Sequence, residues 1–191
     1  KKDGRRYGGC QGSDGTNLSG EWSSEYLNEG TMRLADGSEY SGKFGGQGMF
    51  ASGSLLSING DHYTGRFVDT QYYGKGILAK ADGSVYVGEF SDGKFSGYGV
   101  LKEPDQSIYS GQFLNGLPDG EGMQSDVSGV VYTGSWKEGE KHGMGTLDFG
   151  DGTNYTGEFL SGMANSGLYD WGDGIVTDSY QDENGEWQDR E

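Results

Sequence analysis

A pattern of 22 or 23 residues recurs along almost the whole chain, and it constrains the fold more than any other feature. Each copy opens with an aromatic residue, a glycine and a second aromatic residue at alternate positions, as in Tyr132, Gly134 and Trp136. The copies begin at residues 18, 40, 63, 86, 109, 132 and 155, and the first has Leu18 in place of the tyrosine. Repetition at this period is typical of arrays in which each unit packs only on its neighbours.

The spacing divides the chain into three parts. Seven repeats are predicted over residues 18–176, preceded by a partial repeat at 1–17. Residues 177–191 break the period and are rich in Asp and Glu, and their Asn-Gly dipeptide predicts one more short hairpin. In this acidic C-terminal cap, Tyr180 and Trp187 are predicted to pack on the last repeat.

Within one repeat, alternation of residue types predicts two strands. Tyr132, Gly134 and Trp136 fall on one face of the first strand, the polar stretch 137–142 reads as a turn, and an extended pattern resumes at 143–147. An Asp-Gly dipeptide then provides the turn into the next repeat. The sequence therefore predicts an all-β fold, an elongated single-layer antiparallel sheet of consecutive β-hairpins.

The repeated glycines have a predicted steric role. Gly134 lies between two aromatic residues on one face, and Gly143 and Gly145 lie on the returning strand. Because glycine lacks a Cβ, these positions leave space in which aromatic rings can lie flat on the sheet. We expect the rings to form a thin core shared by successive repeats.

Composition and charge exclude several classes of function. The chain has a net charge of −16, which disfavours nucleic acid and anionic membranes as direct partners because both are polyanions. The single cysteine, Cys10, excludes an internal disulfide framework and a cysteine-cluster metal site. No run of about 18 apolar residues is present.

The repeat resembles the MORN (membrane occupation and recognition nexus) repeat. The resemblance is carried by Tyr-x-Gly-x-Trp, then Gly-x-x-x-Gly-x-Gly, then Asp-Gly, and it is closest at 132–154. It implies a strip of β-hairpins and a non-enzymatic protein-interaction scaffold, intracellular and in a cytoskeletal or ciliary assembly or at a membrane contact. A phospholipid-associated module and a regulatory segment of a larger enzyme are the alternatives.

Candidate chemistry is sparse. The two histidines, His62 and His142, are more than three repeats apart, and no set of nucleophile, base and orienting residue can be assembled around them. The aspartates near the C-terminus lack the spacing of an EF-hand loop and fit turn positions instead. We therefore predict no enzymatic activity, no catalytic residue, no cofactor and no metal site.

Candidate partner-binding residues form two groups. The first is the tyrosine of each repeat, whose hydroxyl needs a polar partner or water: Tyr40, Tyr63, Tyr86, Tyr109, Tyr132 and Tyr155. The second comprises apolar residues in two predicted turns, 45–51 and 68–73, that depart from the repeat: Met49, Phe50, Tyr72 and Tyr73. The alternative for the second group is that these side chains fold inward and cover the thin core.

The expected partner is a protein that presents a helix or an extended segment. Direct binding to nucleic acid is not expected, and direct binding to an anionic membrane is disfavoured by the charge. The sheet is open at both ends, so edge-to-edge pairing into a homodimer is also compatible with the sequence.

Overall fold

The structure is a computed structural model that describes residues 6–23, 27–46 and 49–190. These residues form an all-β fold, an open antiparallel sheet of 17 consecutive strands without an α-helix in the described ranges, as the sequence predicts. The strands are β1 (Arg6–Gln11), β2 (Asn17–Trp22), β3 (Leu27–Arg33), β4 (Glu39–Phe44), β5 (Phe50–Leu56), β6 (His62–Val68), β7 (Gln71–Ala79), β8 (Val85–Ser91), β9 (Lys94–Lys102), β10 (Ile108–Leu114), β11 (Leu117–Ser125), β12 (Val131–Lys137), β13 (Glu140–Asp148), β14 (Asn154–Leu160), β15 (Met163–Asp170), β16 (Val176–Gln181) and β17 (Trp187–Asp189).

The chain divides into two compact units, residues 1–94 and 95–191. In the first unit, strands β1 to β8 pair in sequence order, each antiparallel to the next. In the second unit, strands β9 to β17 pair in the same way. Each repeat is therefore a hairpin, and glycine faces glycine across most of the pairs.

Tight two-residue turns close the hairpins. In the turn between β12 and β13, Glu138 and Gly139 both have positive φ, 51° and 90°, which is the conformation of a type I′ turn. Its right-handed twist matches that of the strands. The predicted turn at 137–142 is thus too long. Strand β13 already begins at Glu140, so Lys141 and His142 lie in a strand.

One hairpin turn departs from this rule and is strained. Between β6 and β7, Asp69 and Thr70 have φ of 48° and 68°, so a β-branched residue occupies the position that glycine takes in the other hairpin turns of this type. We expect Thr70→Gly to raise the free energy of unfolding by about 1 kcal/mol. Urea unfolding would measure it, and Gly116→Thr, at φ 93° in an equivalent turn, should have the opposite effect. Equal stabilities of Thr70→Gly and the unmodified chain would contradict this reading.

Aspartate organises the turns between repeats. The Oδ1 atom of Asp151 accepts hydrogen bonds from the N–H and the hydroxyl of Thr153, at 2.9 and 2.7 Å. The same contacts join Asp82 to Ser84, at 2.8 and 2.7 Å. The hydroxyl and amide donors lower the pKa of both aspartates because they stabilise the charged carboxylate. These aspartates serve the turn chemistry that the sequence predicts.

The core is built from tyrosine rings that lie over glycine pairs. A Cβ on Gly145 would lie 2.5 Å from Cε2 of Tyr132, so the ring occupies the volume of that missing side chain. The Tyr132 hydroxyl donates a hydrogen bond to the carbonyl of Ser135 at 2.9 Å. Trp136 packs edge-on against Tyr132 with ring centroids 5.3 Å apart. The predicted packing of rings against glycine is confirmed.

A second side chain, nine or ten residues after the tyrosine, covers the ring from the other side. Phe50 stacks on Tyr40 with ring centroids 4.0 Å apart. In another repeat of the first unit, Tyr72 stacks on Tyr63 at 3.9 Å. In the second unit Lys141 takes this place, with Nζ 5.1 Å from the centroid of Tyr132, and burial lowers the pKa of its ammonium group.

The buried tyrosines predict a loss of stability at alkaline pH. Burial raises the pKa of Tyr109 and of Tyr132 to about 12, and the carboxylate of Glu121 adds to both shifts. In the unfolded chain these hydroxyls ionise near pH 10, so between about pH 10 and 12 the folded state binds more protons and the free energy of unfolding falls as the pH rises. Urea unfolding over this range should show the decline. It should be shallower for Tyr109→Phe with Tyr132→Phe, and an equal slope would contradict the assignment.

The C-terminal strands close the second unit with a different set of contacts. Trp187 packs against Tyr155 and Tyr169, with ring centroids 4.9 and 4.7 Å away. Tyr180, which the sequence predicts to pack on the last repeat, has its ring beneath the guanidinium of Arg190 at 5.5 Å. The Arg190 guanidinium also donates to the carbonyl of Asn165 at 2.7 Å.

Candidate functional site: the open face of the sheet

The sheet has a core face, which carries the tyrosines, and an opposite face that we call the open face. All six repeat tyrosines lie on the core face with exposed fractions between 0 and 3%. Each hydroxyl donates to the backbone carbonyl three residues later. The expectation that these tyrosines line a partner groove is therefore corrected, because almost none of their surface is accessible to a partner. The six are Tyr40, Tyr63, Tyr86, Tyr109, Tyr132 and Tyr155.

The second group of candidate residues separates into two pairs. Phe50 and Tyr72 point inward and stack on core tyrosines, as the alternative interpretation of the sequence has it. Met49 and Tyr73 are exposed, at 44 and 43%. Alternation along β7 puts Tyr73 on the face opposite to Tyr72, where it pairs with Arg66. The turn at 45–51 also includes Gln47 and Gly48, which lie outside the described residues, as do Lys1, Lys2 and Arg5.

A groove on the open face of the second unit is the best candidate contact site. We call it the Tyr98 groove. Its volume is about 490 Å³. It spans strands β9 to β12, and its lining combines exposed apolar side chains with one carboxylate and small residues: Tyr98, Gly99, Val100, Ser110, Gly111, Glu121, Gly122, Met123 and Thr133. The glycines keep its floor low, so that an incoming chain could approach the backbone.

Tyr98 is exposed but held in one orientation. Its side chain has an exposed fraction of 65%. Its hydroxyl accepts a hydrogen bond from Nε2 of Gln112 at 3.0 Å, and Oε1 of Gln112 accepts the backbone N–H of Glu121 at 2.9 Å. An aromatic ring fixed on the surface in this way loses little conformational entropy when a partner covers it. Val100 and Met123, both exposed, flank it in the groove.

The first unit has a groove of similar size but different chemistry. It has a volume of about 440 Å³, and its lining combines apolar side chains with hydroxyl groups and with the exposed ion pair of Arg33 and Glu39, whose atoms are 3.7 Å apart. Its hydroxyls pair with each other, as Ser19 and Thr31 do at 2.7 Å. Such self-satisfied polar groups gain little from a new partner. The Tyr98 groove is the stronger candidate because it alone of the two presents an exposed aromatic ring held in one orientation, whereas the aromatic residue of the other groove, Tyr40, is buried.

The two histidines and the acidic side chains form no metal-binding group in the residues that the structure describes. His62 contacts the hydroxyl of Ser54 through Nε2, and His142 lies in β13. In residues 6–23, 27–46 and 49–190, no group of three or more His, Cys, Asp and Glu side chains is placed to hold a metal ion. The same residues include no helix with the length and apolar character needed to span a bilayer.

The family-model comparison matches five consecutive segments of the chain. The model described as "MORN: MORN repeat" matches residues 63–85, 86–108, 109–131, 132–154 and 155–176, together more than half of the chain. The chain belongs to the MORN repeat family. The two more N-terminal repeats lie outside the matched segments, yet they pair glycine with glycine in the same way, Gly20 with Gly30 and Gly42 with Gly53.

Solved structures with a similar fold include two of the same domain. One is the wild-type TCP10 domain of Danio rerio CPAP in complex with a peptide of Danio rerio STIL, at a TM-score of 0.53 and 14% identity, covering 100% of this chain and 96% of that one. The other is the same domain alone, at 0.52 and 14%, covering 95 and 93%. Identity this low shows a shared fold and nothing more. No curated protein matches the chain.

The sequence does not point to the Tyr98 groove. Equivalent positions in successive MORN repeats carry Lys75, Tyr98, Glu121 and Met144, so no shared residue type marks them. The one available signal is that a large aromatic residue occupies a position at which the other repeats carry charged or flexible side chains. Side chains alternate between the two faces of a strand, so Tyr98 points to the open face while the neighbouring Gly99 lies on the core face.

Proposed function

We propose that this chain is a non-enzymatic protein-interaction module that binds an extended polypeptide segment on the open face of its sheet. The observation that carries the proposal is Tyr98, which is 65% exposed, orientated by Gln112 and flanked by apolar side chains in a groove. Tyrosines of this kind are enriched among the residues that dominate binding energy. The TCP10 domain of CPAP, solved with a STIL peptide, is an example of a similar fold that holds a peptide.

Other features fit a scaffold better than an enzyme. The residues that recur in each repeat, the tyrosine and the glycine pair, form the core. The residues on the open face differ from repeat to repeat. A surface that varies on a constant framework suits recognition of a partner. The family resemblance supports a place in a cytoskeletal or ciliary assembly, which imaging of the tagged protein against a microtubule marker would test.

The experiment is a peptide-display selection on the purified chain. Peptides selected by the unmodified chain should bind Tyr98→Ser about 30-fold more weakly, which corresponds to roughly 2 kcal/mol for a dominant contact residue. Tyr7→Ser is the matched control, because Tyr7 is also an exposed tyrosine but lies in the first unit. Both variants should melt like the unmodified chain, since exposed substitutions change stability by only about 0.5 kcal/mol.

Two outcomes would contradict the proposal. If no peptide is selected, or if Tyr98→Ser and Tyr7→Ser bind the selected peptides equally well, the Tyr98 groove is not the contact site. Pelleting with anionic vesicles addresses the alternative of a lipid module. The net charge of −16 predicts no binding at physiological salt, and strong binding would favour that alternative.

In the first unit we propose that Met49 and Tyr73 contribute a second contact. Both side chains are exposed, whereas their neighbours Phe50 and Tyr72 stack on core tyrosines. Tyr73 lies beside Arg66 on the open face, and Ile77 on the same strand is also exposed. Exposed aromatic side chains such as that of Tyr73 are enriched at protein contact surfaces.

A further inference from the structure

The negative charge of the chain is concentrated in one unit. Residues 95–191 contain 18 Asp and Glu but only four Lys and Arg, whereas residues 1–94 are close to neutral. Two of the four cations are engaged with aromatic rings, Lys141 over Tyr132 and Arg190 over Tyr180. The second unit therefore has a strong negative field, and the Tyr98 groove lies in this unit.

Two of these carboxylates lie in one row with Tyr98 on the open face. Register and alternation place Tyr98, Gln112, Glu121, Ser135, Met144 and Glu158 side by side on successive strands from β9 to β14. We call these six residues the Tyr98 row. Gln112 faces Tyr98 directly, Ser135 faces Glu121, and Glu158 faces Met144. The row contains two apolar side chains, two neutral polar ones and two acidic ones, and it contains no cation.

The carboxylates of the row keep their charge uncompensated. Oε1 of Glu121 accepts a hydrogen bond from the Ser135 hydroxyl at 2.7 Å, and Oε2 of Glu158 accepts one from the Asn165 amide at 2.9 Å. Both donors are neutral. These contacts fix the carboxylates in place but leave each negative charge free to attract a cation.

We propose that the Tyr98 row is a docking site for a basic extended polypeptide segment, one that presents apolar residues together with lysine or arginine on a single face. The inference rests on the proposed function and specifies the chemistry of its partner. Charge complementarity selects this occupant, because a neutral or acidic segment would leave Glu121 and Glu158 covered and unpaired. A second copy of the acidic unit would be repelled for the same reason.

The strand spacing sets the spacing of the motif. Neighbouring strands lie about 4.8 Å apart, so Glu121 is roughly 10 Å from Tyr98 across two strands and Glu158 is roughly 14 Å further across three. An extended segment that crosses the strands advances about 3.3 Å per residue. The partner should thus carry an apolar residue for Tyr98, a basic residue about 10 Å further along the segment and a second basic residue about 14 Å after that, all on the face turned to the row.

The test uses three labelled synthetic peptide libraries with the same apolar anchor positions. At the two positions that face Glu121 and Glu158, the first carries Lys, the second Gln and the third Glu. Binding to the full chain is measured by fluorescence anisotropy. We expect the Lys library to bind about tenfold more tightly than the Gln library, and the Glu library to bind most weakly. The preference for Lys should shrink as salt is added, because exposed charges are screened.

Matched variants localise the effect. Glu121→Gln with Glu158→Gln should remove most of the preference for Lys over Gln, because one partner of each charge pair is then missing. Glu183→Gln with Glu186→Gln lowers the charge of the unit equally, but at the exposed β16–β17 turn, and should retain the preference. Melting curves establish that both double variants are folded.

Each contrary outcome has a distinct meaning. Equal binding of the Lys and Gln libraries, with binding still lost in Tyr98→Ser, would overturn the basic partner and leave the proposed function standing. Equal loss in the two double variants would overturn the row as the site. Failure of all three libraries to bind would overturn both proposals. Self-association of the chain that Glu121→Gln with Glu158→Gln abolishes would replace the peptide by a second copy.

Discussion

Gly145→Ala is expected to lower the free energy of unfolding by roughly 1–3 kcal/mol, which is a large effect for one added methyl group. The added Cβ would lie 2.5 Å from both Cε2 and the hydroxyl oxygen of Tyr132. The ring cannot move away easily, because Trp136 packs edge-on against it at 5.3 Å and its hydroxyl is bonded to Ser135. Thermal melting should fall by roughly 5 °C.

A double-mutant cycle identifies the ring as the cause. The three atoms nearest to the Cβ at Gly145 all belong to Tyr132, so Gly145→Ala should cost much less once Tyr132→Ala has removed the ring. Gly134 differs, since a Cβ there would meet the backbone, with Cα of Gly145 at 2.5 Å and the carbonyl oxygen of Met144 at 2.6 Å. Gly134→Ala should therefore remain costly in the same background.

The control for this series is Gly8→Ala. Gly8 faces Gly20 across β1 and β2 as the core glycines face each other, but a Cβ there would meet nothing within 4 Å. Its effect should be near zero. If Gly145→Ala proves equally harmless, or keeps its full cost without the Tyr132 ring, then the ring does not occupy the glycine position.

The repeat made the fold and the core predictable. The alternation of Tyr132, Gly134 and Trp136 indicates a strand, and the recurrence of the same three positions indicates that successive hairpins share one sheet. Because glycine has no Cβ, each glycine leaves space on the core face of the sheet, and the neighbouring rings fill this space by lying over the glycines. Local rules and the tertiary arrangement agree here, which is the condition under which sequence patterns are most informative.

The candidate site was less predictable, and the reason lies in strand boundaries. The pattern at 68–73 predicts a turn, whereas β7 begins at Gln71, so the alternation of faces already applies to Tyr72 and Tyr73. Side chains alternate between the two faces along β7, so Tyr72 lies on the same face as Gly76, which is the core face. Tyr98 is missed for another reason: its orientation depends on Gln112, a side chain on the neighbouring strand, and such a cross-strand contact leaves no mark on the repeat.

The tyrosine hydroxyls show how a polar requirement can be met inside the array. An amphipathic ring repeated in every unit favours an interface on chemical grounds. In the structure a backbone carbonyl three residues later accepts each hydroxyl, and most of these carbonyls lie where the hairpin register shifts. The bulge and the tyrosine thus satisfy each other. Exposed aromatic residues outside this series are the ones left for recognition.

Tyr72→Ser and Tyr73→Ser should have opposite consequences although the two residues are neighbours. Tyr72 stacks on Tyr63 at 3.9 Å and contacts the Phe67 and Phe90 rings edge-on, so its removal should cost about 3 kcal/mol and lower the melting temperature by roughly 10 °C. Tyr73 is 43% exposed, and its removal should change stability by only about 0.5 kcal/mol. Differential scanning calorimetry measures both.

Binding should show the reverse order. If Tyr73 contributes to the contact in the first unit, Tyr73→Ser should weaken a peptide selected on that unit about tenfold with the melting curve unchanged. Tyr72→Phe keeps the stacked ring and is the control: it should melt and bind like the unmodified chain. Retention of full binding by Tyr73→Ser would remove this residue from the contact surface. Equal melting temperatures of Tyr72→Ser and Tyr73→Ser would instead show that the stack of Tyr72 on Tyr63 does not stabilise the fold, because the expected cost of Tyr72→Ser derives from that stack.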